Sequence, residues 1–199
     1  MSPKTVLHGK PRAIVITGTP GTGKTAVSKS LAKQIGANYL ALTQFVIENQ
    51  LGTSIDRRRK TKVVNLKRTR ACLRKIFSCG KFITVVDTHV PDAVPREHVR
   101  KVIVLRCHPK VLEGRLRRKG WKDSKVRENL LAEILDSCYV TAEGYHGARK
   151  TVQLDTSRKT LSNSVSQARR AIMKGGIAQV QVDWIRVLHR EHSLEKYLR

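Results

Sequence analysis

The sequence predicts an α/β fold in which a parallel β-sheet is covered by helices on both faces. Three observations lead there. A continuous β-branched run at residues 12–17 is followed by a glycine-rich loop and then by a helically spaced segment at 24–35. Further apolar runs alternate with helical segments along the chain, so that each strand, helix and strand can close as a right-handed crossover. Finally, 199 residues of which 40% are apolar and only 5% aromatic can bury one aliphatic core of Val, Ile and Leu.

Taken in order, the first strand and helix are followed by a short strand at 38–42 and a helix at 43–50, with a loop at 51–56 marked by Gly52. Residues 57–75 hold ten basic side chains and no acid, but Val63, Val64, Leu66, Ala71 and Leu73 would let a helix pack one side. Strands are expected at 82–86 and 101–105, and Pro91 and Pro95 break any element between them. Helices are expected at 109–118 and 124–144 with Gly120 as a hinge, then a last strand at 151–154. A helix at 161–174 is stopped by Gly175 and Gly176. Beyond it Trp184, Ile185, Leu188 and Leu194 could dock a final helix on the core.

Forty Lys and Arg against fifteen Asp and Glu give a formal net charge of +25, far beyond what solubility needs, and point to an anionic partner. Cys72, Cys79, Cys107 and Cys138 form no C-x-x-C pair, so they read as buried free thiols rather than a zinc or redox site. Residues 1–11 are basic without the apolar centre of a secretory signal, and no run approaches the ~20 apolar residues that span a bilayer. A soluble, cytoplasmic protein without membrane contact is the expectation.

The chemistry concentrates in Gly18-Thr19-Pro20-Gly21-Thr22-Gly23-Lys24-Thr25, the pattern G-x-x-x-x-G-K-[ST] between strand and helix. Glycines let backbone N–H groups turn toward phosphate oxygens at the positive end of the helix. Lys24 would reach the β and γ phosphates, and the Thr25 hydroxyl would coordinate the Mg²⁺ that bridges them. The third strand ends Val86-Asp87-Thr88-His89, placing a carboxylate where a metal shell needs one. With Thr88 extended, Asp87 and His89 project to one side, and His89 either orients a water or phosphoryl oxygen or is a plain loop histidine. The basic stretch 115–125 has the composition of a lid; Arg115 and Lys119 share a helix face, and Trp121 either stacks on a base or packs beneath. No N-K-x-D guanine-reading motif is present, which leaves adenine by elimination.

These motifs resemble the adenylate kinase isoenzyme six family, atypical P-loop adenylate kinases and ATPases of small ribosomal subunit assembly in eukaryotes and archaea. The resemblance rests on G-T-P-G-T-G-K-T, on Asp87-Thr88-His89 as the family's D-x-H, and on Arg115, Leu116, Gly120, Asn129 and Glu133. It implies a nucleoside monophosphate kinase-like fold over 12–176, a monophosphate-binding region near 41–64, a small helical lid near 118–128, and extensions at 1–11 and 177–199. It further implies ATP held by Gly21, Gly23, Lys24, Thr25 and Ala26, with a lid contact from Lys119, where the family usually has arginine. Catalytic roles fall to Lys24, Asp87 and His89, and the metal, Mg²⁺, to Thr25 and Asp87, directly or through water. The resemblance implies AMP or water as the acceptor, and Gln44 and Ile47, standing where relatives carry an acid and a base, weigh against AMP and toward ATP hydrolysis. The implied partners are ribosomal RNA and a small-subunit ribosomal protein of the uS11 type.

Overall fold

The computed structural model describes residues 12–56, 61–173 and 181–198. The sequence expectations for residues 1–11, for Arg57, Arg58, Arg59 and Lys60, and for the stop at Gly175 and Gly176 lie outside them. Strand β1 (Ala13–Gly18) is the centre of a five-stranded sheet, flanked by β5 (Thr84–Asp87) and β6 (Val99–Arg106). Outside these lie β2 (Asn38–Ala41) and β7 (Thr151–Asp155), giving the order β2-β5-β1-β6-β7 with every pairing parallel.

The run Ala13-Ile14-Val15-Ile16 shows why β1 is continuously apolar: its side chains alternate between two cores. Ala13 and Val15 join Leu42 and Val46 of α2 (Leu42–Glu48), Leu73 and Phe77 of α3 (Leu66–Cys79), and Ala142 of α6 (Ser137–His146). Ile14 and Ile16 join Val27 and Leu31 of α1 (Lys24–Ile35) and Val165, Ala168 and Ile172 of α7 (Leu161–Met173). A third cluster joins Leu112 and Leu116 of α4 (Pro109–Arg118) to Val126, Leu130 and Ile134 of α5 (Asp123–Ile134). It is completed by Leu188 of α8 (Trp184–Arg190) and Tyr197 of α9 (Leu194–Leu198). The C-terminal residues therefore form two short helices rather than one, with Trp184 and Leu188 buried and Ile185 46% exposed.

Three expectations are corrected. Residues 52–56 are not a loop: β3 (Gly52–Asp56) pairs antiparallel with β4 (Thr61–Val64), an extended hairpin that the glycine and the surrounding charge disguise. Of the basic run, residues 61–64 are therefore extended and the chain becomes helical only at Leu66, where the Asn65 side chain caps α3 by accepting from the Arg68 N–H at 3.0 Å. The single helix expected at 124–144 is two, α5 and α6, broken at Asp136, whose left-handed backbone (φ 56°) no helix can continue. In addition, the segment between Pro91 and Pro95 includes a single 3₁₀ turn, Pro91–Ala93, with another at Arg96–His98. The four cysteines are free, but only Cys107 is buried as expected: Cys72 and Cys138 are half-buried and Cys79 is exposed.

Candidate nucleotide site

At the carboxyl end of β1 the chain must turn sharply into α1. Gly18 (φ 138°) passes so close to β6 that a Cβ there would stand 2.3 Å from the Leu105 carbonyl oxygen, which only glycine tolerates. Gly23 (φ 96°, ψ 13°) then directs the chain into α1 as its N-terminal cap, leaving backbone N–H groups at the helix start for an anion. The intervening loop is braced from inside: the Thr19 carbonyl accepts from the Thr22 N–H (3.2 Å), the Thr22 hydroxyl (2.9 Å) and Lys24 Nζ (3.2 Å). Burial lowers the Lys24 pKa from its ordinary value, and the nearby Cys138, Asp87 and Glu133 oppose that shift.

Asp87 ends β5, in register with Ile16 of β1, and so meets the second residue of α1 across the loop. The Thr25 hydroxyl donates to Asp87 Oδ2 at 2.7 Å, and the Tyr39 hydroxyl donates to the same oxygen at 3.2 Å. Partial burial, reinforced by the neighbouring carboxylate, pushes Tyr39 up to about 12. His89 is exposed by surface area, yet desolvation by the surrounding protein lowers its pKa, as does the Lys24 ammonium, while Asp87 works in the opposite direction. The structure thus brings Lys24, Thr25, Asp87 and His89 to one end of the sheet, at the point where neighbouring strands lead off to opposite sides.

A cavity of about 470 Å³ adjoins this end, lined by Gly21, Gly23, Ala26, Arg115, Lys119 and Thr156, among others. Its size suits a nucleotide-sized ligand. Lys119 closes α4 at the cavity, whereas Arg115 is spent on structure: its guanidinium donates to the Thr156 carbonyl (2.9 Å) and, more weakly, to the Gly21 carbonyl (3.4 Å). Thr156 completes the bridge by donating to the Thr22 carbonyl at 2.9 Å. Arg117 is tied to Glu113 and Asp123, and Trp121 packs against the Leu112 and Leu116 cluster.

Sequence reasoning missed Tyr39, Thr156 and the buried Arg106, and it named Glu133 only as a matched position, without its pairing to Arg106. Glu133 had a signal: it shares a helix face with Val126, Leu130 and Ile134, and an acid on an apolar stripe must find donors. Tyr39 and Thr156 had none, since their partners lie 48 and 134 residues away.

Gln44 donates to Glu48 at 2.9 Å on the exposed side of α2, and Ile47 beside it is 46% exposed. No group of three or more His, Cys, Asp or Glu side chains among the described residues could by itself hold a metal ion. Thr25 and Asp87 are hard oxygen donors that fit Mg²⁺, an ion that takes few protein ligands and completes its shell with substrate phosphates and water. No helix among the described residues is long and apolar enough to cross a membrane.

The AAA domain family matches residues 14–136. A protein of Methanocaldococcus jannaschii described as "Putative adenylate kinase" is 33% identical over 86% of this chain and 92% of its own length. A protein of Pyrococcus furiosus with the same description is 34% identical over 87% and 92%. One from Saccharolobus solfataricus is 43% identical over 61% and 63%. Among solved structures, shikimate kinase from Acinetobacter baumannii superposes with a TM-score of 0.53 at 18% identity, covering 84% of this chain and 94% of that one. Gluconokinase from Sinorhizobium meliloti gives 0.50 at 18%, covering 92% and 96%. The structural likenesses establish the kinase-like fold, and the sequence likenesses establish more: the chain belongs to the atypical adenylate kinase family that its P-loop and Asp87-Thr88-His89 motif resemble.

Proposed function

We propose that the chain is a Mg²⁺-dependent phosphotransferase of ATP and AMP, forming two ADP, that also passes the γ-phosphoryl group to water and works in small ribosomal subunit biogenesis and rRNA maturation. The observation that carries the chemistry is the Thr25 to Asp87 hydrogen bond of 2.7 Å beside Lys24 at the mouth of the phosphate loop. In this reading the N–H groups of Gly21, Gly23 and Ala26 hold phosphate oxygens, and Lys24 stabilises charge between the β and γ phosphates. Thr25 and Asp87 would hold Mg²⁺, which when bound neutralises the same phosphates. His89 orients the acceptor oxygen, and Lys119 meets the nucleotide from the lid as a point charge rather than a fork. The cavity beside the loop supports an adenine site, and the relatives' description supports AMP as acceptor.

The test is ADP and phosphate release with and without AMP. ADP formation that depends on AMP is expected; phosphate release indifferent to AMP would reassign the enzyme as an ATPase, and no turnover of ATP in either condition would overturn the reading.

A second reading, an ATP-regulated factor binding ribosomal RNA or a uS11-type ribosomal protein, is favoured by one observation, the +25 charge. Arg70 and the exposed Arg74 are held by Asp92 and Glu97, and Lys67, Arg68 and Lys75 are the exposed cations of α3 outside those two ion pairs. Contacts to RNA phosphates release counterions, so affinity for structured RNA should fall by about a thousandfold between 50 and 200 mM salt for six or more contacts. Replacing Arg57, Arg58, Arg59 and Lys60 by Gln should flatten that dependence, and an RNA affinity insensitive to salt would sink it.

A further inference from the structure

Behind the phosphate loop lies a polar assembly that none of these roles uses. Glu133 on α5 is 2% exposed, yet its carboxylate is fully engaged. Oε2 accepts from the Thr19 hydroxyl at 2.5 Å, while Oε1 accepts from Arg106 Nε (2.9 Å), the Cys107 N–H (3.0 Å) and Trp184 Nε1 (2.9 Å). Thr19 belongs to the phosphate loop, and its carbonyl is the atom that holds Lys24 Nζ. Trp184 is the first residue of α8. One buried carboxylate therefore connects the catalytic lysine's tether to the C-terminal pair of helices.

Those helices also reach the lid. Residues 119–122 join α4 to α5, and Leu188 of α8 and Tyr197 of α9 pack in one cluster with Leu112, Leu116, Val126 and Leu130 of those two arms. Lys196 of α9 donates to Glu113 of α4 at 2.9 Å. A carboxylate kept from water is stable only while its donors stay in place, so its two oxygens cannot be re-aimed independently. A shift of Thr19 as Lys24 leaves its carbonyl for a phosphate is felt at Oε2, and a shift of Trp184 is felt at Oε1.

We propose that the C-terminal helices are a working part of the nucleotide site: Trp184, through Glu133, positions Thr19 and the phosphate loop, and nucleotide occupancy and the seating of α8 are coupled. The inference rests on the ATP reading above. Coupling of this kind is reciprocal, so it can be read from either end.

The full chain has two tryptophans, Trp121 and Trp184, so Trp121→Phe leaves Trp184 as the single reporter. Saturating Mg²⁺ and ADP should shift its emission. From the other end, Trp184→Phe keeps an aromatic ring but loses the N–H, and should weaken ATP binding by about fivefold or more, raising KM more than it lowers kcat. Thr19→Val should cause a loss of similar size, and the two substitutions together should cost less than the sum of each, because both break one linkage. A Trp184 emission indifferent to nucleotide would overturn the coupling, as would an ATP affinity of Trp184→Phe within twofold of the parent, or strictly additive losses. Were Trp184→Phe to misfold, the emission of the Trp121→Phe protein would still decide. A parent chain that binds no ATP would strike the proposed function itself, and needs no variant to be seen.

Discussion

The two sides of the phosphate loop are built by opposite means. On the open side, Lys24 and Thr25 come from one contiguous motif, and Asp87 is brought beside them by the parallel pairing of β1 with β5, with His89 two residues on. On the buried side, Thr19, Arg106, Glu133 and Trp184 come from separate elements, and the Thr19 to Glu133 bond alone spans 114 residues. The open side keeps its charges partly solvated, where the proposed function would have them meet a ligand. The buried side has its charges neutralise one another: Arg106, 1% exposed, also donates to the Glu133 carbonyl (2.9 Å), to Gln153 (2.5 Å) and to Asp136. Substitutions on the open side should therefore remove activity and spare the fold, whereas breaking the buried Arg106 to Glu133 pair should cost stability first.

Lys24→Ala is the sharpest case. Its ammonium makes one hydrogen bond, to the Thr19 carbonyl, and burial disfavours its charge, so removing it should leave Tm unchanged or slightly raised. Turnover should fall about a thousandfold, because no solvent group replaces a positioned cation at the transferring phosphate. Turnover within a few fold of the parent, or a loss of Tm in step with activity, would erase the distinction between the two sides. Arg106→Met tests the other side. It strands the Glu133 carboxylate with three donors and no cation, which should cost about 3–5 kcal/mol in denaturant unfolding. Adding Glu133→Gln should restore part of it, and a single variant as stable as the parent would show the network to be dispensable.

The same contrast explains what the sequence made legible. The strand, loop and helix of the phosphate site follow from a β-branched run, glycines and 3.6-residue spacing, all local, and Asp87 follows from its place at a strand end. The break between α5 and α6 does not, because an aspartate in the left-handed region is held there by Arg106, which lies 30 residues away. The β3 and β4 hairpin was hidden for another reason: charge density says little about backbone conformation, so a basic run reads equally as helix or strand. Arg115 shows the limit from the opposite direction. Composition marks it as a lid cation, but its guanidinium is consumed by the Thr156, Ser157 and Gly21 carbonyls, leaving Lys119 as the nearer candidate for a ligand contact.

His89 lies on the open side and carries the smallest expected effect. Its pKa is held below the ordinary histidine value by burial of the ring and by Lys24, with Lys125 adding to the shift and Asp87 opposing it. The folded protein thus keeps the imidazole neutral to lower pH than the unfolded chain does. As pH falls through about 6.5 the unfolded chain takes up the proton first, so this residue's contribution to stability is lost on acidification and is fully present above that value. Activity should follow the folded-state value: a neutral ring can accept a hydrogen bond from the attacking group, and a protonated one beside Lys24 cannot. The acid limb of turnover should therefore have its midpoint below about 6.5. His89→Asn should lower kcat roughly tenfold, leave ATP affinity within twofold, and flatten the acid limb. The comparison with the parent across pH is decisive because Lys24, Thr25 and Asp87 are common to both proteins. An identical acid limb in the variant, or a midpoint above the ordinary histidine value, would return His89 to the role of a surface loop residue.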